Sequence, residues 1–221
     1  MNYNKIIISS GPTKEWIDPV RYISNSSSGK MGFHLAEEMY IYQNNLVYIH
    51  GNVMDKYAKP KANKIIAVDT TQEMKKAIED ELEPNTLIIM AAAPADFKPK
   101  KEATNKIKKE IGKDTIFIEL EKNPDILASL NTKILVEKIE NVCLVGFAAE
   151  TDHLEENAKS KLERKGLKYI IGNYVGKSNL GFGEVRSSVK IFSQKGIELE
   201  IKDRSKEILT KEIVSFLVMH S

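Results

Sequence analysis

The side chains best suited to chemistry gather first in the stretch RYISNSSSGKMG, residues 21–32. Arg21 offers a fixed cation for a carboxylate or phosphate. Asn25 offers a neutral amide that can donate to an oxygen as charge develops there. Ser24, Ser26, Ser27 and Ser28 add four hydroxyls, and Gly29-Lys30 gives the look of a phosphate loop. A Walker A loop would need glycine at position 24 and Ser or Thr at 31, where this chain has Ser24 and Met31. A dinucleotide fingerprint would need G-x-G-x-x-G in the first tight turn, but Gly11 is followed by a long segment before Gly29 and Gly32. Both spellings fail while the physics behind them survives. Ser27, Ser28 and Gly29 lead directly into a helical pattern, whose free N–H groups and positive dipole end attract an anion. A bound phosphate is expected there; the plainer alternative is a serine-rich cap, for which one hydroxyl would do.

The elements that must position this loop are legible as alternating runs. Residues 6–8, 46–49, 65–68, 87–90, 142–145 and 169–171 are short apolar runs that read as strands buried on both faces. Between them lie helical patterns: 30–43 with a stripe of Met31, Leu35, Met39 and Tyr42, a helix opened by the capping box Thr70-x-x-Glu73 and ending near Pro84, and 152–165. This alternation predicts an α/β fold, a Rossmann-like, mostly parallel sheet with helices on both faces. At the C-terminus, 189–192 and 197–201 around Lys195-Gly196 predict a β-hairpin, and 204–219 a closing helix with Ile208, Ile213, Phe216 and Leu217 as its apolar side. One domain, residues 1–221, accommodates everything. Residues 98–113, with seven lysines, read as a mobile excursion between two strand signals. Ligands of open α/β sheets bind beyond the carboxyl ends of the strands. The strand-ending stretches 9–29, 91–99, 146–151 and 172–183 are all rich in small or polar residues, which predicts one composite site.

Composition narrows the function classes. The chain has 221 residues, 42% apolar and 29% charged, with a net charge of +2, which argues against a dedicated nucleic-acid binder. Cys143 is the only cysteine and sits in an apolar run, so it reads as a buried thiol. His34, His50, His153 and His220 show no metal-ligand spacing. No apolar run reaches membrane-spanning length and no leader pattern opens the chain, so a cytoplasmic location without membrane contact is expected.

Five motifs in order, GPTKEWIDPVRYISNSSSGKMG (11–32), AAAPADFKP (91–99), KIKK (106–109), NPDI (123–126) and GFAAET (146–151), closely resemble the phosphopantothenoylcysteine synthetase (phosphopantothenate–cysteine ligase) family. The resemblance runs over about residues 4–205 and is to the stand-alone bacterial form, since the chain starts at the synthetase's first strand. It implies condensation of 4'-phosphopantothenate with L-cysteine, with CTP as co-substrate, Mg²⁺ on the nucleotide phosphates, no flavin, and a homodimer. A separate phosphopantothenoylcysteine decarboxylase is a possible partner.

The resemblance also implies roles. Asn25 matches the asparagine acting on the acyl-nucleotide intermediate, and Arg21 the arginine of the same loop. Lys106 matches the lysine of a flap at about 97–113, where closure would offset phosphate charge and exclude water. Ala91, Ala92 and Ala93 match the small strand end, with Ala93 close to substrate, and Pro94 stands where many relatives have a small β-branched residue or glycine. Asp96 would bind a nucleotide hydroxyl or act through Mg²⁺, and the sequence leaves both open. Pro124, Asp125, Ile126 and Leu127 match a nucleotide-contacting segment, although Asn123 or Asp125 could equally cap a helix. Phe147 matches an aromatic residue at the base. Lys161 and Lys165 match the pair meeting the triphosphate, but without the resemblance they are an ordinary solvated face. Ser27, Ser28 and Gly29 remain the expected phosphate contacts. Two rivals differ in class. A nicotinamide-dependent oxidoreductase would show a melting shift with NAD or NADP, and a non-catalytic RNA binder using 98–113 would show salt-sensitive RNA retention.

Overall fold

The computed structural model describes residues 2–108, 114–150, 153–174 and 187–220. Its centre is β1 (Lys5–Ser10), every residue of which is buried. Ile6, Ile7 and Ile8 have no exposed surface, and burial of each such side chain contributes about 1.5–3 kcal/mol. After β1 come β2 (Lys14–Asp18), β3 (Arg21–Ser24), α1 (Lys30–Met39), β4 (Leu46–His50), β5 (Lys64–Ala67), α2 (Thr71–Asp80) and β6 (Thr86–Met90). Then follow β7 (Phe97–Pro99), β8 (Leu120–Lys122), α3 (Ile126–Glu137), β9 (Cys143–Glu150), α4 (Leu154–Lys165), β10 (Tyr169–Tyr174), β11 (Ser187–Ser193), β12 (Gly196–Arg204) and α5 (Lys206–His220).

The main sheet has eight strands in the order β12-β11-β10-β9-β6-β1-β4-β5. The six strands from β10 to β5 are parallel and the last two antiparallel, so the predicted mostly parallel sheet with a terminal hairpin is what forms. The chain runs outward from β1 to β5 and then from β6 to β10. The topological switch therefore lies between β1 and β6, and a crevice opens beyond their carboxyl ends. Ile6 and Ile8 face α1 and α5, whereas Ile7 faces the layer of α2, α3 and α4. Period-two alternation thus feeds two cores from one strand.

Some sequence expectations are corrected. The stretch 9–29, read as a loop, contains the antiparallel hairpin β2–β3. Its alternation is hidden because charged Glu15 and Asp18 are the buried positions. α1 stops at Met39, and the N–H groups of both Tyr42 and Gln43 turn back onto the Met39 carbonyl. Tyr42 is therefore exposed and does not belong to the core stripe. On α5 the apolar side is Leu209, Ile213, Val214, Phe216 and Leu217, while Ile208 faces solvent, one helical step off that stripe. β5 is an outer strand with Ile65 exposed, so it is not covered on both faces. The lysine-rich excursion is anchored along its described part: β7 pairs with β8, Ala103 N–H donates to the Ile17 carbonyl, and Ile107 is bound at both its N–H and its carbonyl. Residues 109–113, 151–152 and 175–183 of the expected flap, helix and glycine-rich strand end lie outside the described residues.

Candidate active site

The crevice divides into two cavities on either side of one ribbon, residues 91–97. The first, about 230 Å³, is lined by Ser27, Ser28, Lys30, Met31, Ala91, Ala92, Ala93, Phe147, Ala149, Asn173, Ser187, Val189 and Lys206. Its lip is the start of α1. The N-cap is Gly29 at φ 80°, a left-handed conformation that a side chain would strain and where a Cβ would also collide with Val53. Gly29 has no side chain with which to cap, and the Ser27 and Ser28 hydroxyls accept from Gly29 and Lys30 N–H only at 3.4 Å. Gly32 lets α1 sit directly on the end of β1, where a Cβ would meet Ser10. The first-turn N–H groups, which have no helical partners, thus stand beside the cavity.

The ribbon is held from three sides. Ala93 N–H donates to the Gly11 carbonyl at 2.9 Å and Ala95 N–H to Thr13 Oγ1 at 3.0 Å. Asn123 Nδ2 donates to the Ala95 carbonyl at 2.8 Å. Asn25 closes it: its Nδ2 donates to the carbonyls of Ala93 at 3.2 Å and Pro94 at 3.0 Å. The amide expected to donate to the intermediate is engaged here by the ribbon. In this arrangement Asn25 pins the ribbon and itself lines neither cavity. Beneath lies a buried polar knot that sequence reading missed. Glu15, 3% exposed, accepts from Thr71 N–H at 3.0 Å, Thr71 Oγ1 at 2.7 Å and Thr13 Oγ1 at 3.0 Å. The only sequence signal was the capping box one residue before Thr71, which is intact: Thr70 accepts from Glu73 N–H.

The second cavity, about 380 Å³, is lined by Thr71, Pro94, Ala95, Asp96, Phe97, Lys122, Asn123, Pro124, Asp125, Ile126, Arg164 and Lys165. Asp125 caps α3 by accepting from Ala128 N–H at 3.2 Å and pairs with Lys165 at 2.9 Å. The two alternatives for the segment are thereby resolved: Asp125 is the cap, and Asn123 holds the ribbon. Leu127 is 7% exposed and belongs to the core. Lys161 lies one turn before Lys165 and lines neither cavity. Instead of one composite site, the pinned ribbon gives two chambers.

Arg21 and Lys106 line neither chamber. Arg21 pairs with Asp18 at 2.9 Å and donates to the Ile107 carbonyl at 2.6 Å. Burial pushes the Asp18 carboxyl up, and the N–H groups of Val20 and Ile107 with the Arg21 guanidinium outweigh it, holding the group below its ordinary value. Arg21 and Asp18 therefore clamp Ile107, and exposed Lys106 is the residue beside that clamp. Cys143 is buried, and burial raises its thiol pKa against the opposing Tyr3 hydrogen bond, which suits an unreactive core thiol. Among the described residues no three His, Cys, Asp or Glu side chains gather as a metal site. Asp96, exposed at the second cavity, offers a single carboxylate, which fits a magnesium ion carried mainly by phosphates and water. No described helix is long and apolar enough to cross a membrane.

Residues 1–220 match the family model described as the DNA/pantothenate metabolism flavoprotein C-terminal domain. The coenzyme A biosynthesis bifunctional protein CoaBC of Vibrio cholerae is 38% identical over 216 residues, covering 98% of this chain and 51% of the relative. This chain thus spans about half the length of such relatives. The crystal structure of a CoaBC C-terminal domain superposes with a TM-score of 0.75 at 29% identity, covering 98% of this chain and 95% of that one. A Cab2 mutant in complex with phosphopantothenate-cysteine has the same fold, with a TM-score of 0.68 at 20% identity, covering 99% and 89%.

Proposed function

The chain belongs to the DNA/pantothenate metabolism flavoprotein C-terminal domain family, and on that premise we propose that it joins 4'-phosphopantothenate to L-cysteine with CTP. The substrate carboxylate attacks the α-phosphate, forming an acyl-cytidylate and releasing pyrophosphate. The cysteine amine then attacks the acyl carbon, loses a proton and displaces CMP, forming the amide. The phosphopantothenate-cysteine held by the Cab2 mutant is the product of this reaction.

The observation that carries the reading is the pinned ribbon between two chambers. Residues from the separate motifs converge on it: Ser27, Ser28 and Phe147 in one chamber, Asp96, Pro124, Asp125, Ile126 and Lys165 in the other, and Asn25 bonded to the wall between them. Two chambers meeting at a small-residue wall suit a reaction that brings a nucleotide phosphate against an acyl group. Ala93 keeps the wall thin. Asn25 orients the wall through Ala93 and Pro94, and with substrate bound its amide would turn to donate to the acyl oxygen as charge develops there. Lys106, exposed beside the Ile107 clamp, would swing into the crevice on closure to offset charge on the α-phosphate. Asp96 would bind a nucleotide hydroxyl or hold a magnesium ion, which would supply charge neutralisation at the phosphate oxygens. No nucleophilic side chain is required. A homodimer, a separate decarboxylase partner, the absence of flavin and a cytoplasmic location belong to the same proposal.

The test is pyrophosphate release with 4'-phosphopantothenate, Mg²⁺ and CTP or ATP, with and without L-cysteine. Cysteine-dependent product with CTP, and much less with ATP, is expected. Equal rates with ATP overturn the base choice alone. No release from folded protein with either nucleotide overturns the ligase.

A further inference from the structure

The floor of the first cavity holds two lysines that the roles above leave unused. Lys30 and Lys206 are the first residues of α1 and α5, two helices packed side by side, and both line the cavity. Their exposures are only 9% and 7%. A cation at the first position of a helix stands against the positive end of the dipole. A buried ammonium also loses its hydration. Lys30 is offset by Glu207 at 2.8 Å. Lys206 has no carboxylate within ion-pair distance among the described residues, and burial first, then Lys30, holds its pKa below that of an ordinary lysine. His34 stands behind them with Nε2 3.2 Å from Glu207 but without hydrogen-bond alignment. Burial pushes its pKa down, with Lys30 and Lys206 acting the same way against Glu207 and Glu37, so it adds no charge at neutral pH. Among the described residues, one glutamate faces two lysines at the two helix ends.

A second, independent feature points the same way. Ser187 Oγ is buried on the same cavity, its residue 7% exposed, and has no hydrogen-bond partner among the described residues. An unpartnered buried hydroxyl and an unpaired buried ammonium are each costly when left alone. Set together over two helix N-termini, they are complementary to a multiply charged acceptor.

We propose that Lys206, with Lys30 and Ser187, forms a phosphate seat in the floor of the first cavity, beneath the Ser27 and Ser28 lip. It takes a phosphate group of one of the two phosphorylated substrates. Only the identity of that substrate rests on the ligase reading; the seat itself is a property of the cavity. The nucleotide polyphosphate and the terminal phosphate of phosphopantothenate share the required chemistry.

The whole chain is tested as parent, Lys206→Met and Ser187→Ala, first with inorganic tripolyphosphate and orthophosphate at constant ionic strength, by melting temperature. The parent is expected to rise in Tm with one of these anions beyond a chloride control. Lys206→Met is expected to melt no lower than the parent without anion, because the unpaired buried charge is gone, and to lose the anion-dependent rise. A purely structural lysine would give the opposite, a lower Tm with the rise intact. Calorimetry with CTP and with 4'-phosphopantothenate then assigns the source: affinity for the seated ligand falls about tenfold or more in Lys206→Met while the other is unchanged. A parent indifferent to both anions overturns the seat, as does an unaltered response in Lys206→Met. Should that variant fail to fold, a full response in Ser187→Ala overturns it instead. Anion binding without pyrophosphate release would leave the seat standing and remove the ligase reading.

Discussion

The two chambers are lined by successive parts of one ribbon, 91–93 and 94–97, and differ in how their charges are settled. In the second, Lys165 pairs with Asp125, Lys122 and Arg164 are exposed to solvent, and the polar groups beneath knot around Glu15, with Asn123 Oδ1 buried without a partner among the described residues. In the first, among the described residues, Lys206 is buried without an ion-paired carboxylate and Ser187 without a hydrogen-bond partner. A chamber whose cations are paired or solvated is stable empty and recognises a ligand by shape and a few spare bonds. A chamber that retains uncompensated donors is stabilised by what it binds. The comparison separates scaffolding from recognition inside a single crevice.

The strongest way to break this division is at the wall. Asn25→Asp sets a carboxylate against the carbonyls of Ala93 and Pro94. Turnover is expected to fall about 10²- to 10³-fold, with CTP binding retained by calorimetry and acyl-nucleotide accumulating in quenched reactions. Normal turnover would refute the role of the pin. Lys106→Gln, exposed and outside both chambers, is expected to slow pyrophosphate release by about 10²-fold without moving Tm. A fall in Tm of the same size as the loss of rate would show instead a structural lysine. Glu15→Ala leaves Thr13 and Thr71 donors buried and unmet, costing about 1–3 kcal/mol. Denaturant unfolding measures that cost, and the anion response of the first chamber is expected to persist.

Two smaller effects sharpen the contrast. The Glu207 carboxyl is held down to about 2, by the Lys30 hydrogen bond first, then by its own helix-terminal N–H and by Ser205, against burial. A carboxyl lowered on folding adds stability that is present above the ordinary glutamate range and lost as pH falls through the folded value. The parent is therefore expected to exceed Glu207→Gln in stability at neutral pH, with the gap closing as pH falls from about 4.5 to about 2. Because the side chain is 46% exposed, the gap stays below about 1 kcal/mol. A gap that is constant with pH would exclude the charge as its source. Lys165→Met, breaking the half-buried pair with Asp125, is expected to cost no more than about 1 kcal/mol in thermal unfolding. A larger loss would mean that the second chamber is not self-contained.

The parallel sheet was legible because its signal is local: runs such as residues 87–90 are apolar whichever face they present. The β2–β3 hairpin was not, since Glu15 and Asp18 are buried through partners that lie 56 and 89 residues away in sequence. The loop motifs pointed to the right crevice. They did not reveal that Asn25 spends its amide on Ala93 and Pro94, because those carbonyls are supplied by a ribbon 68 residues further on. Lys206 and Ser187 escaped for the same reason. A lysine in an amphipathic helix reads as solvated until α1 packs over its first turn, and nothing in the local pattern distinguishes it from Lys211.

The sheet ends, on the side of the hairpin, in β12, a long outer strand whose residues are mostly exposed. Such a strand offers unpaired backbone groups to any other chain that meets it. Here Glu198, Glu200, Lys202 and Arg204 stud it with charges of both signs, and the other outer strand opens with Lys64. Addition of a foreign strand would bring these charges under cover without matched partners. The same charges that look idle beside the crevice thus protect a concentrated solution of this protein from growing edge to edge into fibres.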